Sequence, residues 1–284
     1  MIVFINDRFI DEKEASIGIS DLSVQRGFGI FDFFRTYRYV PLFLDDYLDR
    51  FFNSATLLSL QPRHTREELK TIIYEMIDRN QIETSGFKLI LTGGYSQDGF
   101  EPGTPNFIMT QQPVEISSEE KFEKGIRIIL HEYLRDVPEV KSINYLMAIY
   151  LQNRLVEQKA DDVLYHQNGE VLEFPRSNVF IVTKEGAVVT PGKNVLHGIT
   201  RKKVLHIAGR NYKAEERTVT LEDLKNASEV FLTSSTKRLL PVLEIDDVIV
   251  GNGKPGKITR ELYTAFKQLE EEYYKHEKLP LKDA

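Results

Sequence analysis

The apolar residues change period along the chain, and the changes mark elements. Residues 2–10 and 14–19 read as short strands around a polar turn, and residues 28–44 hold strand-like runs rich in Phe and Tyr. Over 46–60 the period becomes helical: Leu48, Phe51, Phe52, Ala55 and Leu58 make one stripe. Thr65 opens the next helix, with Glu68 three residues on as a capping box and Leu69, Ile72, Ile73, Met76 and Ile77 on the buried face. Strands are expected at 87–92 and 106–110. Residues 111–125 are polar and charged. Strand signals then return at 126–134, 162–166, 170–173, 178–183, 187–190, 229–233 and 242–250, interleaved with helices at 142–159, 199–210 and 257–275. There is no internal repeat. This alternation predicts an α+β or α/β chain in two domains, 1–115 and 126–284, joined by a linker at 116–125.

With 284 residues the chain is long enough for two cores. Its net charge of -6, with no basic stripe, argues against a nucleic-acid partner. It has no cysteine, which removes disulfides, thiolate metal sites and a Cys nucleophile. The six histidines offer no close metal pair, so no metal is expected. Asp7 and Arg8 come too early for a signal-peptide apolar region, and no apolar run approaches the ~20 residues of a membrane span. The expectation is a cytoplasmic protein that does not enter a membrane.

Candidate chemistry starts at Lys141. It follows a strand signal and directly precedes the helix expected at 142–159, with Ser142 placed to cap it. The positive end of a helix dipole disfavours an ammonium ion, and a nucleophilic lysine needs its neutral amine. Glu173 ends a strand-like run, where a carboxylate can face a protonated ring nitrogen. Gly198, Ile199 and Thr200 stand at a helix start, whose backbone N–H groups bind phosphate. Ser234, Ser235 and Thr236 cluster hydroxyls after a strand, and Arg50 lies on an otherwise apolar helix, where it suits a bidentate phosphate contact. Each has a plain alternative: a solvated lysine, a surface glutamate, a helix cap, a Ser/Thr loop, an arginine reaching solvent along its apolar stem. Walker, G-x-S-x-G and dinucleotide motifs are missing.

Taken in order, RGFGIFD (26–32), YLDRFFNSA (47–55), KSINY (141–145), VLEFPRSNVFIV (171–182), LHGITR (196–201) and LTSSTKRLLPV (232–242) resemble the class IV, or fold-type IV, pyridoxal-phosphate enzymes. The resemblance is strongest to the D-amino acid aminotransferase branch. It implies a smaller N-terminal α/β domain and a larger C-terminal domain with pyridoxal 5'-phosphate between them, and a homodimer. It implies that Lys141 is the Schiff-base lysine and moves a proton between substrate and cofactor. Glu173 would pair with the pyridine nitrogen. Arg50, Ile199, Thr200, Ser234 and Ser235 would hold the phosphate. The substrates would be amino acids, D-alanine or D-glutamate for preference, and 2-oxo acids.

The chain departs from that branch in three places. Phe31 stands where a tyrosine is frequent, Tyr47 where a histidine is frequent, and Leu91-Thr92-Gly93-Gly94 lacks the arginine that usually holds the substrate carboxylate. A carboxylate in a closed site needs compensation. Arg176, together with Arg26, is therefore expected to hold it, with Phe31 beside the substrate. A branched-chain L-amino acid aminotransferase is the first alternative, with Phe28, Phe31, Phe33 and Tyr95 as its apolar pocket. An aminodeoxychorismate lyase is the second, and a cofactor-free binding protein on the same fold is the third.

Overall fold

Alternation of buried and half-exposed positions along residues 29–37 makes this stretch an inner strand of a six-stranded sheet in a computed structural model that describes residues 1–277. The described residues form two compact units: one of residues 1–115, 140–144 and 273–277, the other of 116–139 and 145–272. The end of the expected second domain, 278–284, lies outside the described residues.

The first unit contains, in order, β1 (Ile2–Ile5), β2 (Arg8–Asp11), α1 (Leu22–Arg26), β3 (Gly29–Tyr37), β4 (Val40–Pro41), α2 (Leu44–Leu57), α3 (Arg66–Asn80), β5 (Ser85–Thr92) and β6 (Phe107–Pro113). The sheet order is β2-β1-β6-β5-β3-β4. On one face Ile30, Phe34, Phe87, Leu89 and Leu91 are fully buried, with α2 packed on β3 and α3 on β1. The Phe34 and Phe87 rings stack with centroids 5.0 Å apart. The capping box of α3 forms as expected: the Glu68 amide donates to Thr65 Oγ1 and the Thr65 amide to Glu68 Oε2. Residues 14–19 form no strand. They follow a short 3-10 turn at Glu12–Glu14 that breaks the alternation.

A buried carboxylate fastens the loop after β5. Asp21 is fully buried, and it accepts hydrogen bonds from the Ser23 amide (2.8 Å), Thr92 Oγ1 (2.7 Å) and Asn106 Nδ2 (2.8 Å). Burial opposes its ionisation, yet the donors on Ser23, Asn106 and Thr92 together hold its carboxyl below the ordinary range. A depressed folded value gives stability that is full above the unfolded value of about 3.9 and fades as pH falls through the folded value. Asp21→Asn is expected to cost about 1–3 kcal/mol at neutral pH, with the deficit shrinking below about pH 4. Urea titrations at pH 7 and pH 3 measure this; an equal deficit at both values would show that the charge contributes nothing.

The second unit holds α4 (Glu119–Lys124), β7 (Ile126–Glu132), α5 (Leu146–Tyr150), α6 (Gln152–Glu157), β8 (Asp162–Gln167), β9 (Glu170–Val171), β10 (Glu173–Phe174), β11 (Ser177–Val182), β12 (Val188–Pro191), α7 (Ile199–Ala208), β13 (Ala214–Arg217), β14 (Val219–Thr220), α8 (Leu221–Asn226), β15 (Glu229–Ser234), β16 (Arg238–Ile245), β17 (Val248–Ile249) and most of α9 (Lys257–His276). The main path of its sheet runs β13-β12-β11-β15-β16-β7-β8-β9-β14. Val179, Ile181, Val230, Leu232, Leu240 and Val242 fill its core. Residues 116–125, read as a linker, carry α4 within this unit, and Phe122 of α4 stacks on Tyr263 of α9 at 4.3 Å. Among the described residues no helix is long and apolar enough to cross a membrane.

Candidate active site

Lys141 stands in an extended segment, not at a helix start. Residues 141–143 add to the free side of β3: the Phe31 amide donates to the Lys141 carbonyl (2.8 Å), the Ile143 amide to the Gly29 carbonyl (3.0 Å), and Ile30 bridges to Ser142. The helix expected from residue 142 starts at Leu146, and Ser142 does not cap it. The dipole account of the Lys141 amine is therefore wrong, because the backbone at 141–143 is committed to β3. What fixes this lysine is a strand register. Antiparallel pairing puts Lys141 opposite Phe31, on the same sheet face, and its Nζ lies 4.5 Å from the Phe31 ring centroid. Its amide donates to Oγ of the buried Ser54 on α2 (3.3 Å).

Arg50 is also in the first unit, one turn before Ser54 on α2. It does not reach into solvent along an apolar stem. Its Nε donates to Asp32 Oδ2 (2.9 Å) and its Nη2 to Asp32 Oδ1 (2.7 Å), and its guanidinium lies 5.3 Å from the Tyr47 ring centroid. Asp32 is buried. This bidentate pair fixes the plane of the guanidinium. Asp32 escaped the sequence reading although it carries a signal: a charge inside the apolar run GIFDFF on the buried parity of the strand.

In the second unit Glu173 is 5% exposed and surrounded by donors. Its Oε1 accepts from Arg135 Nε (2.8 Å) and Nη2 (2.6 Å), and its Oε2 from the Leu196 amide (3.0 Å). Arg135 Nη2 also donates to the Pro138 carbonyl. Hydrogen bonds of this kind favour the ionised carboxylate. Nothing local in the sequence pointed to Arg135, since the pair spans 38 positions.

The same donor into Glu173, Leu196, leads to the start of α7. Asn178 Nδ2 donates to the Leu196 carbonyl (2.7 Å), and a Cβ on Gly198 would lie 2.1 Å from Asn178 Oδ1. Any side chain at 198 would have to push the Asn178 amide off this contact. Gly198 is the N-cap and supplies no side-chain cap, so the first amides of α7, at the buried Ile199 and Thr200, keep their anion-binding character. Next to this turn Ser177 Oγ and Thr233 Oγ1 are buried without a hydrogen-bond partner among the described residues, and Asn178 pairs with Thr233 across β11 and β15. Orphaned buried hydroxyls are costly unless a ligand takes them. Uncapped amides, orphaned hydroxyls and a donor-locked carboxylate suit a phosphorylated, nitrogen-protonated ring such as pyridoxal phosphate. Ser234 Oγ accepts from the Lys237 amide (3.1 Å), and Ser235 is half-buried. Arg26 is exposed at the end of α1, and Arg176 is exposed in the two-residue turn between β10 and β11.

Comparison with known proteins agrees with these features. The amino-transferase class IV family profile matches residues 29–245. The chain is 31% identical over 273 residues to a D-alanine aminotransferase of Bacillus licheniformis, covering 93% of this chain and 95% of that one. It is 31% identical over 278 residues to a putative branched-chain-amino-acid aminotransferase of Methanocaldococcus jannaschii, covering 95% and 96%. Among solved structures, the branched-chain amino acid aminotransferase of Escherichia coli superposes with a TM-score of 0.88 at 22% identity, covering 95% of this chain and 94% of that one. The chain belongs to the class IV aminotransferases and is a pyridoxal-phosphate-dependent enzyme that moves amino groups between amino acids and 2-oxo acids.

Proposed function

We propose that the amino donors are D-amino acids such as D-alanine and D-glutamate. The likeness to a D-alanine aminotransferase along 93% of the chain carries this reading. When bound, pyridoxal phosphate supplies an electron sink for charge developing at the substrate α-carbon. Lys141 would anchor it, and its Nζ would carry a proton to and from that carbon. Glu173, held in place by its donors, pairs with the ring nitrogen. Arg50, the amides of Ile199 and Thr200, and the hydroxyls of Ser234 and Ser235 hold the phosphate. Arg176, with Arg26, receives the α-carboxylate, and Phe31 borders the substrate.

A branched-chain L-specific reading competes, supported by the aromatic pair Phe31 and Phe33 on the half-exposed sheet face. The half-reaction separates the two. Cofactor-loaded protein is mixed with D-alanine or D-glutamate, and separately with L-leucine or L-glutamate, and loss of the bound-cofactor absorption is followed. Conversion by D-substrates alone supports the proposal; conversion by L-substrates alone overturns it in favour of the branched-chain reading.

The enzyme is proposed to work as a homodimer. Leu146, Ile149, Tyr150 and Val156 on α5 and α6 are 77%, 70%, 74% and 78% exposed, an apolar patch that calls for a cover. Ile149→Asp is expected to shift sedimentation from two chains to one at micromolar protein. An unchanged two-chain species would place the dimer contact elsewhere, and a wild-type monomer would end the proposal.

A further inference from the structure

Residues 233–238 read Thr-Ser-Ser-Thr-Lys-Arg, with no large apolar side chain whose packing could fix their shape. They form the hairpin between β15 and β16, which turns through 235–237 with Ser234 paired to Arg238 at its neck. The hairpin lies beside the start of α7. Thr233 pairs with Asn178, whose side chain holds the Leu196 carbonyl just ahead of the uncapped amides of Ile199 and Thr200.

Bonds to other elements shape this turn. The Ser117 amide, ahead of α4, donates to the Thr236 carbonyl (3.1 Å). Lys237 Nζ donates to Oδ2 of Asp162 at the start of β8 (3.0 Å). Arg238 Nε donates to Oε2 of Glu270 on α9 (2.7 Å). Three consecutive residues are tied to three elements remote in sequence, all within the second unit. Inside the turn, the Lys237 amide donates to Ser234 Oγ (3.1 Å).

Burial decides how firm the two charged ties are. Exposed ion pairs contribute little and let their side chains move. Asp162 is 6% exposed and Glu270 3%, and a buried carboxylate that loses its cation is left uncompensated. Arg238 carries a second mark: its φ is +55°, in the left-handed region that favours glycine. Such a residue persists where its surroundings over-determine it, and such positions gather at ligand-holding sites. Stability alone gives no reason for the arrangement. Well-packed apolar residues do as well as a buried charge pair, and glycine is the less strained residue at 238. What the two pairs supply is a turn of fixed shape.

We propose, resting on the phosphate-site reading above, that Lys237 with Asp162 and Arg238 with Glu270 are positioning pairs. They hold the turn so that the Ser234 and Ser235 hydroxyls meet the cofactor phosphate without first having to be ordered. None of the four side chains needs to touch the phosphate. Their effect is confined to the phosphorylated end of the ligand.

The test titrates the full chain, freed of cofactor, with pyridoxal 5'-phosphate and with pyridoxal, which lacks the phosphate. The ratio of the two affinities reads the phosphate contact, whereas general damage to the site lowers both alike. In Asp162→Asn and in Glu270→Gln the preference for the phosphorylated ligand is expected to fall about tenfold. Arg238→Gly/Glu270→Gln removes one tie with both of its charges and relieves the left-handed backbone. Its melting temperature should stay within a few degrees of wild type while the preference still falls about tenfold. Pair variants with an unchanged preference, or with both affinities lowered alike, overturn the proposal. Ser234→Ala/Ser235→Ala judges the reading beneath it. A wild-type preference in that variant would show that the turn holds no phosphate; a preference lost there but kept in the pair variants would remove the positioning role alone.

Discussion

Lys141→Ala is expected to lower the half-reaction by about four orders of magnitude or more while leaving the fold in place. On the reading proposed above, one side chain is both the covalent anchor and the proton carrier, and Lys88, on the same face, sits beyond the Phe31 ring. The fold should survive because the backbone of residue 141 does the structural task. Its carbonyl accepts from Phe31 and its amide donates to Ser54, and alanine keeps both. Stopped-flow absorption with the accepted amino acid measures the rate. Borohydride reduction followed by intact mass measures the anchor: wild type gains the cofactor mass and the variant does not. A variant still fixed by borohydride, or within tenfold of wild-type rate, would place the anchor on another lysine.

That result bears on how this site is written in the sequence. Lys141 and Glu173 stand out as candidates because they fall in motifs whose order and spacing are distinctive, not because their neighbourhoods are. The local account of Lys141 failed. A strand signal, a lysine and a helical run look like a helix N-terminus, yet residues 141–143 pair with Gly29, Ile30 and Phe31, more than a hundred positions earlier. Pairing over that separation leaves no periodic trace. The elements themselves were easier. The α2 stripe and the Thr65 capping box depend on neighbours within one or two turns, and both are present. β13 and α8 have short, charged sequences and β14 is only the pair Val219–Thr220, so periodicity has too little to act on.

The site residues that escaped share one property: each acts through a partner remote in sequence. Asp32 is set by Arg50, Arg135 by Glu173, and Asn178 by the close approach of Gly198. Arg135 carries the strongest consequence. It holds one oxygen of Glu173 with two N–H groups while the Leu196 amide holds the other, so the carboxylate has a fixed orientation as well as a charge. Removing one member of a buried pair costs more than the pair contributes, since it leaves an uncompensated charge.

Arg135→Gln is therefore expected to destabilise the apoprotein by about 3 kcal/mol and to weaken pyridoxal-phosphate binding about 10- to 100-fold. The two effects separate in a double-mutant cycle. Glu173→Gln removes the charge that Arg135 compensates, so in Arg135→Gln/Glu173→Gln much of the lost stability should return, because two amides can share a hydrogen bond where an amide and a lone carboxylate cannot balance. Cofactor affinity should not return if Glu173 is, as proposed, the anion that faces the ring nitrogen. Urea unfolding of the apoproteins gives the first quantity and equilibrium titration with pyridoxal phosphate the second. If Arg135 only filled space, the single and double variants would show additive losses in both measurements. If it orients Glu173, stability is coupled and cofactor binding stays low, and the absorption of the bound cofactor in Arg135→Gln shifts toward that of Glu173→Gln, because in both the ring nitrogen has lost an oriented carboxylate.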